Sequence, residues 1–202
     1  MLKFSVKIYI LFTFIYFSCY AQEQNPFNLD SSKVKVNFYG SLFHQHHDFF
    51  GEAFSFQGIE GGILVEKKYL AGIYASSFVS NLKVNFKNEL KYFSLAQSGI
   101  LSGYYYSNFK NVYSGVLINL GYVSIIGYEK SFPLFKPKNP AINLGGIVCA
   151  PQLFAEIPTL NWLEIRIGLA YNFYFLEKNS KISNSDLNNI SFNFGFIFGD
   201  FD

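Results

Sequence analysis

Cysteine is scarce in this sequence, and its scarcity excludes one class of secreted fold. The 202 residues include two cysteines, Cys19 and Cys149, and Cys19 falls in a stretch that predicts an export signal. The single cysteine left after cleavage cannot form an internal disulfide, so a disulfide framework is excluded. Cys149 is predicted to be a small apolar residue of the protein wall rather than a reactive thiol.

Charged side chains are also few. They make up 15% of the chain, and the formal net charge is +2. Lys3 and Lys7 lie in the predicted signal, which contains no acidic residue, so basic and acidic residues are equal in number after cleavage. A neutral mature chain gives no electrostatic support for a nucleic-acid partner, and none is predicted.

A long hydrophobic run is missing outside the first residues. Beyond the signal no segment reaches about 18 consecutive apolar residues, so no helix is predicted to span a membrane. Yet hydrophobic residues make up 50% of the chain, with 25 Phe and 15 Tyr among them. Apolar residues dispersed in this way leave two classes, a soluble β protein or a transmembrane β-barrel.

The N-terminus has the three parts of a secretory signal. The two lysines form the basic region, Ile8–Ser18 is apolar, and Cys19-Tyr20-Ala21 places small residues at the cleavage position. We expect Sec-type cleavage near Ala21, which makes residues 1–21 the signal peptide. Two alternatives remain, an uncleaved anchor and a lipoprotein with its lipid on Cys19.

The final β-prone run has the clearest pattern in the chain. Its large apolar residues occupy alternate positions, which are Ile190, Phe192, Phe194, Phe196 and Phe198. The positions between them hold Ser191, Asn193, Gly195 and Ile197. Because side chains in a strand alternate between its two faces, one face is a wall of large apolar groups. Such a wall, backed by small or polar residues, suits a surface that faces lipid.

Eight β-prone runs, separated by polar or Gly-, Pro- and Asn-containing breaks, cover the chain. They are Val34–His44, Phe54–Glu66, Tyr69–Val79, Phe93–Ser107, Val112–Ile126, Asn143–Ile157, Leu163–Leu176 and Ile190–Phe201. The seventh and eighth alternate cleanly. The second, with Gly61-Gly62, and the fourth, with Tyr104-Tyr105-Tyr106, do not.

The breaks between these runs alternate in length. The long ones are Gln45–Ala53, Ser80–Tyr92, Gly127–Ile142 and Glu177–Asn189, and the short ones are Lys67-Lys68, Asn108–Asn111 and Pro158–Trp162. Long loops on one rim and short turns on the other are typical of outer-membrane barrels. A soluble meander has no reason to keep that order.

These patterns predict an all-β fold, an eight-stranded antiparallel up-and-down transmembrane β-barrel with long extracellular loops and short periplasmic turns. Residues 34–202 form the barrel in this interpretation, and residues 22–33 form an N-terminal periplasmic segment. A soluble lipocalin-type barrel, with its apolar rows inside, is the alternative. The bulky aromatic rows, and the small and polar residues opposite them, favour the membrane barrel. Side chains fill the interior of an eight-stranded barrel, so a general diffusion porin is not expected.

The mature sequence resembles the small outer-membrane β-barrel proteins of Bacteroidota, which have the barrel size of the OmpA and OmpX type. The resemblance is concentrated in Pro151–Glu156, Asn161–Tyr171 and Phe192–Phe198, and it includes the Ala-Gln junction at the predicted cleavage site. The chain departs from that pattern by continuing past the last alternating Phe to Asp202. The resemblance implies the fold and an outer-membrane location, and it implies no activity.

All three histidines lie close together in the sequence. His44, His46 and His47 are followed by Asp48 and Glu52 in the first predicted surface loop. Imidazoles and carboxylates at this density predict a candidate Zn²⁺ or Cu²⁺ site. The alternative is a solvated or partner-contacting loop without metal. No motif predicts a bound cofactor.

Four charged residues fall on rows predicted to face the barrel lumen. They are Glu60, Glu156, Glu164 and Arg166. The last three flank one short turn, so we expect them to meet near the periplasmic end. A structural charge network is the simplest interpretation, and a gate or proton path is the alternative.

No pair of residues predicts catalysis. Ser41 and His44 are three residues apart, so their side chains leave opposite faces of a strand and do not suit a nucleophile and its base. The leading hypothesis is a non-enzymatic outer-membrane protein that contributes to envelope integrity or surface interaction through its loops. A transport or secretion accessory for a small or apolar molecule is the second, and a lipid-modifying enzyme the third. Expected partners are outer-membrane lipid and the assembly machinery, and any surface or periplasmic protein partner stays open.

Overall fold

The structure, a computed structural model, describes residues 34–49, 52–78, 82–86, 89–109, 112–128, 142–177, 184–199 and 201. Its nine strands are β1 (Val36–Phe49), β2 (Glu52–Val65), β3 (Tyr69–Phe78), β4 (Leu82–Phe86), β5 (Glu89–Phe109), β6 (Val112–Tyr128), β7 (Ile142–Leu160), β8 (Leu163–Leu176) and β9 (Asn189–Gly199). A helical turn, Asn184–Leu187, precedes β9. None of the helices in these ranges is long and apolar enough to cross a membrane. The predicted signal peptide (1–21) and N-terminal segment (22–33) lie outside the described residues.

The strands form one antiparallel sheet that closes on itself. Their order is β3-β2-β1-β9-β8-β7-β6-β5-β4, and β3 also pairs with β5. The β3–β5 ladder ends at the pair Ser77–Ala96, and β4 pairs with β5 beyond that point, starting at Leu82–Phe93. β3 and β4 therefore pair with successive parts of the same edge of β5 and together occupy one strand position. The nine described strands fill eight positions in the closed wall. The predicted eight-stranded antiparallel barrel is confirmed.

Three short connections lie at one end of the barrel, here called the turn rim, and the opposite end is called the loop rim. They join β2 to β3, β5 to β6 and β7 to β8. In the first, Glu66 and Lys67 have φ values of 54° and 52°, which suit a hairpin turn whose twist matches that of its strands. Lys67 Nζ also donates a 2.6 Å hydrogen bond to the carbonyl oxygen of Phe201. This bond ties the end of the chain to the turn rim.

The outer face of the barrel wall is apolar. Burial alternates residue by residue along β9, and the four phenylalanines of Phe192–Phe198 are 36% to 47% exposed. Phe38 on β1 is 76% exposed and Ile73 on β3 is 67% exposed, so the same face continues around the barrel. A water-soluble barrel buries its apolar rows inside. The outward rows agree with the prediction of a wall that faces lipid.

Side chains fill the described part of the lumen in two apolar clusters. The loop-rim cluster comprises Phe54, Phe56, Phe93, Leu95, Val123, Ile125, Leu144, Val148, Tyr174 and Leu187. The turn-rim cluster comprises Tyr39, Leu64, Leu70, Tyr74, Leu101, Leu117, Phe154 and Ile197. The small and polar lumen that the sequence predicts is therefore only part of the interior.

The predicted boundary of the first loop is wrong. The sequence predicts a long loop at Gln45–Ala53, whereas the ladder between β1 and β2 continues to the pair Phe49–Glu52. The residues here are polar, but backbone pairing does not depend on side-chain polarity, so the hairpin extends past the apolar part of its outer face. The predicted long breaks after β3 and β8 likewise contain β4 and the helical turn.

Candidate functional site

The hairpin of β7 and β8 positions the charged residues of the lumen. Glu156 and Arg166 are direct cross-strand partners, on either side of the turn at Asn161 and Trp162. Even-numbered residues of both strands face the lumen, so Glu164 lies on the same row as Arg166. Gly195 is the partner of Arg166 on β9 and presents no side chain there. The arginine therefore lies between one neighbour that carries a carboxylate and one that carries no side chain.

Arg166 binds carboxylates from two sides of the barrel. Its Nε donates a 2.5 Å hydrogen bond to Glu156 Oε1, and its Nη1 donates to Glu60 Oε1 on β2. The side chains of Arg166 and Glu60 are each 6% exposed, and that of Glu156 is 1% exposed. The guanidinium carbon lies 4.9 Å from the ring centroid of Phe154, within the range of a cation–π contact. Arg166 thus links β8 to β7 and, across the lumen, to β2.

Two further side chains complete the charged group. Tyr105 on β5 donates a 2.6 Å hydrogen bond from its hydroxyl to Glu156 Oε2. Glu164 is buried on the lumen row of β8, two residues before Arg166. The four predicted residues are therefore brought together, and Tyr105, which the sequence did not single out, joins them.

A polar layer lies between the charged group and the loop-rim cluster. Asn172 Nδ2 donates to Asn189 Oδ1 at 3.1 Å and to Ser191 Oγ at 3.0 Å. Nearer the turn rim, Asn193 Nδ2 donates to Gln152 Oε1 at 2.8 Å. A polar cavity of about 20 Å³ separates this pair from the charged group, which is room for about one water molecule. Side chains from β1, β6, β7 and β9 therefore occupy the described lumen around this small cavity.

The three histidines do not converge. His47 faces the lumen, where its Nδ1 lies 3.2 Å from Asn189 Oδ1, whereas His44 and His46 lie on the outer face of β1. No group of three or more His, Cys, Asp and Glu side chains that could hold a metal occurs in the described part of the chain. The predicted site of three histidines is corrected, because consecutive residues of a strand point to opposite faces. Because this segment is a strand rather than the predicted loop, His47 is held on the opposite face from His44 and His46.

The predicted separation of Ser41 from His44 agrees with the structure. Ser41 is buried on the lumen side of β1, and His44 is on the outer side. The two side chains therefore cannot form a nucleophile–base pair.

A groove of about 880 Å³ interrupts the apolar outer face between β9 and β6. Its lining includes large residues such as Leu42, Ile59 and Phe194 and small ones such as Ala75 and Ser98. The size of the side chains on the apolar outer face therefore varies around the barrel.

Comparison with known proteins identifies the fold and no closer relationship. No protein-family model and no curated relative matches the chain. The structure is similar to that of Neisserial surface protein A, with a TM-score of 0.60 and 9% sequence identity over 83% of this chain and 99% of the other. It is also similar to the N-terminal β-barrel domain of Pseudomonas aeruginosa OprF, with a TM-score of 0.54 and 10% identity over 83% and 99% of the two chains. A major outer-membrane protein from Thermus thermophilus gives a TM-score of 0.51 and 11% identity over 82% and 99%. The chain has the fold of the small outer-membrane β-barrels.

Proposed function

We propose that this protein is a non-enzymatic integral outer-membrane protein that contributes to envelope integrity or to surface interaction through the connections at its loop rim. The apolar outer rows support the membrane location, since charged or polar side chains on a lipid-facing wall are costly. The fold shared with outer-membrane barrels supports the same location. In this proposal the turn rim is periplasmic and the loop rim is extracellular. An origin in Bacteroidota stays a prediction from the sequence resemblance.

The filled lumen is the observation that carries the proposal. The loop-rim cluster, the polar layer and the charged group succeed one another along the barrel axis. An interior that side chains occupy leaves no pore for solutes. This arrangement favours a barrel that anchors its loop-rim connections in the membrane over a barrel that acts as a channel. Transport or secretion of a small or apolar molecule remains the alternative.

Planar-bilayer recording tests this proposal. The purified, folded barrel is expected to insert without producing stepwise ion conductance, because both apolar clusters block the lumen. Reproducible conductance steps in the wild-type protein would contradict a sealed barrel and favour the transport alternative.

A further inference from the structure

Two histidines form a pair on the outer face of β1, close to the loop rim. His44 and His46 are separated by one residue, so their side chains leave the same face of the strand about 7 Å apart along its axis. Their ring centroids lie 4.6 Å apart, with an angle of 73° between the rings. His46 is exposed and His44 is partly exposed. Both imidazoles are therefore accessible from outside the barrel, and each ring reaches the other.

The neighbouring strand orients one of the two rings. Ser55 on β2 is the direct cross-strand partner of His46, and its Oγ lies 3.0 Å from His46 Nδ1. When Nδ1 donates its hydrogen to this hydroxyl, Nε2 keeps a free lone pair. Histidines that bind metals commonly have the non-ligating ring nitrogen held by such a partner. In the tautomer whose Nδ1 donates to Ser55, Nε2 of His46 is the nitrogen presented for coordination.

The surroundings of the pair place it at the edge of the apolar face. The β9 partners of His44 and His46 are Phe194 and Phe192, which belong to the lipid-facing row. Asp48, the next residue on the outer row of β1, is exposed. Along the outer row of β1 the residues change from Leu42 to His44, His46 and Asp48, so the pair lies at the polar end of that row.

We propose that His44 and His46 form a two-imidazole site for a divalent transition metal on the outer wall of the barrel. Imidazole nitrogen favours Cu²⁺, Zn²⁺ and Ni²⁺, and Cu²⁺ forms the strongest complexes of the three. His47 is excluded because it lies inside the lumen, between Asn189 and Gln45. The site differs from the predicted group of three histidines in its ligands and in its position. It goes beyond the proposed envelope role and does not depend on it.

Copper titration of the folded barrel in detergent tests the site, with Cu²⁺ added alone and binding followed by calorimetry and electron paramagnetic resonance. The wild-type protein is expected to bind one Cu²⁺ at this site, with a hyperfine pattern from two imidazole nitrogens. His44→Asn and His46→Asn should each weaken binding by at least about tenfold, since loss of even an outer-shell partner typically costs 10- to 100-fold. Ser55→Ala keeps both imidazoles and should weaken binding about tenfold through loss of ring orientation.

The lumen histidine provides the matched control. His47→Gln removes an imidazole without touching the proposed ligands, so its affinity for Cu²⁺ should equal that of the wild type. Heat-modifiable gel mobility shows whether each variant is folded. His44 and His46 lie on the outer face, so their substitution should not prevent folding. Equal Cu²⁺ affinity in the wild type, His44→Asn and His46→Asn would overturn the proposal, as would a wild-type spectrum with fewer than two imidazole nitrogens.

Discussion

Arg166→Leu should lower the free energy of unfolding by about 3–5 kcal/mol, the usual cost of removing one partner from a buried charge network. The substitution leaves Glu156 and Glu60 inside the barrel without their cation. Unfolding of the barrel in lipid vesicles by denaturant gives the measurement. The single tryptophan of the chain, Trp162, stacks on Phe198 with 6.2 Å between ring centroids, so its fluorescence reports the folded turn rim.

A variant that also lacks the two carboxylates bound to Arg166 is the control for this prediction. Replacing Arg166 by Leu together with Glu60→Gln and Glu156→Gln removes the uncompensated charges. Replacing a whole buried ion network by neutral groups is often close to neutral in stability, so the triple variant should recover much of the loss. An Arg166→Leu protein as stable as the wild type, or a triple variant as unstable as the single one, would show that Arg166 does not hold the network.

Phe56→Ala should also cost about 3–5 kcal/mol, the usual range for a phenylalanine truncated inside a packed core. Phe56 is fully buried in the loop-rim cluster. Its ring centroid lies 4.5 Å from that of His47 and 4.5 Å from that of Phe78. The truncation leaves a cavity between these rings that the rigid barrel wall cannot close. The same unfolding experiment in vesicles measures the loss.

Phe38→Ala is the matched control, since it is the same substitution on the other face of the wall. Phe38 is 76% exposed, and lipid tails are as apolar as the side chains that they contact. Lipid can fill the space left by the ring, so the loss of stability should be much smaller than for Phe56→Ala. Equal losses for the two variants would mean that the lumen cluster is not a packed core.

The sequence predicted the strands best where one face is bulky and apolar and the other is small or polar. For β8 the predicted range, Leu163–Leu176, equals the observed one, and the register of β9 follows from its row of phenylalanines. The hairpin of β1 and β2 was cut short because polar residues beyond the lipid resemble a loop. β4 was missed because it pairs with β5 only beyond the point where the β3–β5 ladder ends. Leu82, Val84 and Phe86 alternate with Lys83 and Asn85, but this five-residue run lies inside a polar break and is short for a strand.

The charged group was partly predictable for similar reasons. Period-two alternation placed Glu156 and Arg166 on the lumen face of one hairpin, and cross-strand pairing brings them together. Tyr105 was not predicted, because the rings of Tyr104-Tyr105-Tyr106 hide which face points inward. The loop-rim cluster was not predicted either, since β2 and β5 carry bulky groups on both faces. Which of those groups meet is decided by barrel closure, through contacts far apart in the sequence.

Oxygen accessibility of spin labels along β9 tests the central claim most directly, namely that one face of the wall meets lipid while the other meets a filled lumen. Single cysteines replace residues 191–198 in turn in a mature protein that carries Cys149→Ser, and the labelled barrel is reconstituted in vesicles. The structure predicts high oxygen accessibility at Phe192, Phe194, Phe196 and Phe198 and low accessibility at the residues between them. The opposite phase, or no alternation, would contradict the membrane-spanning barrel described above.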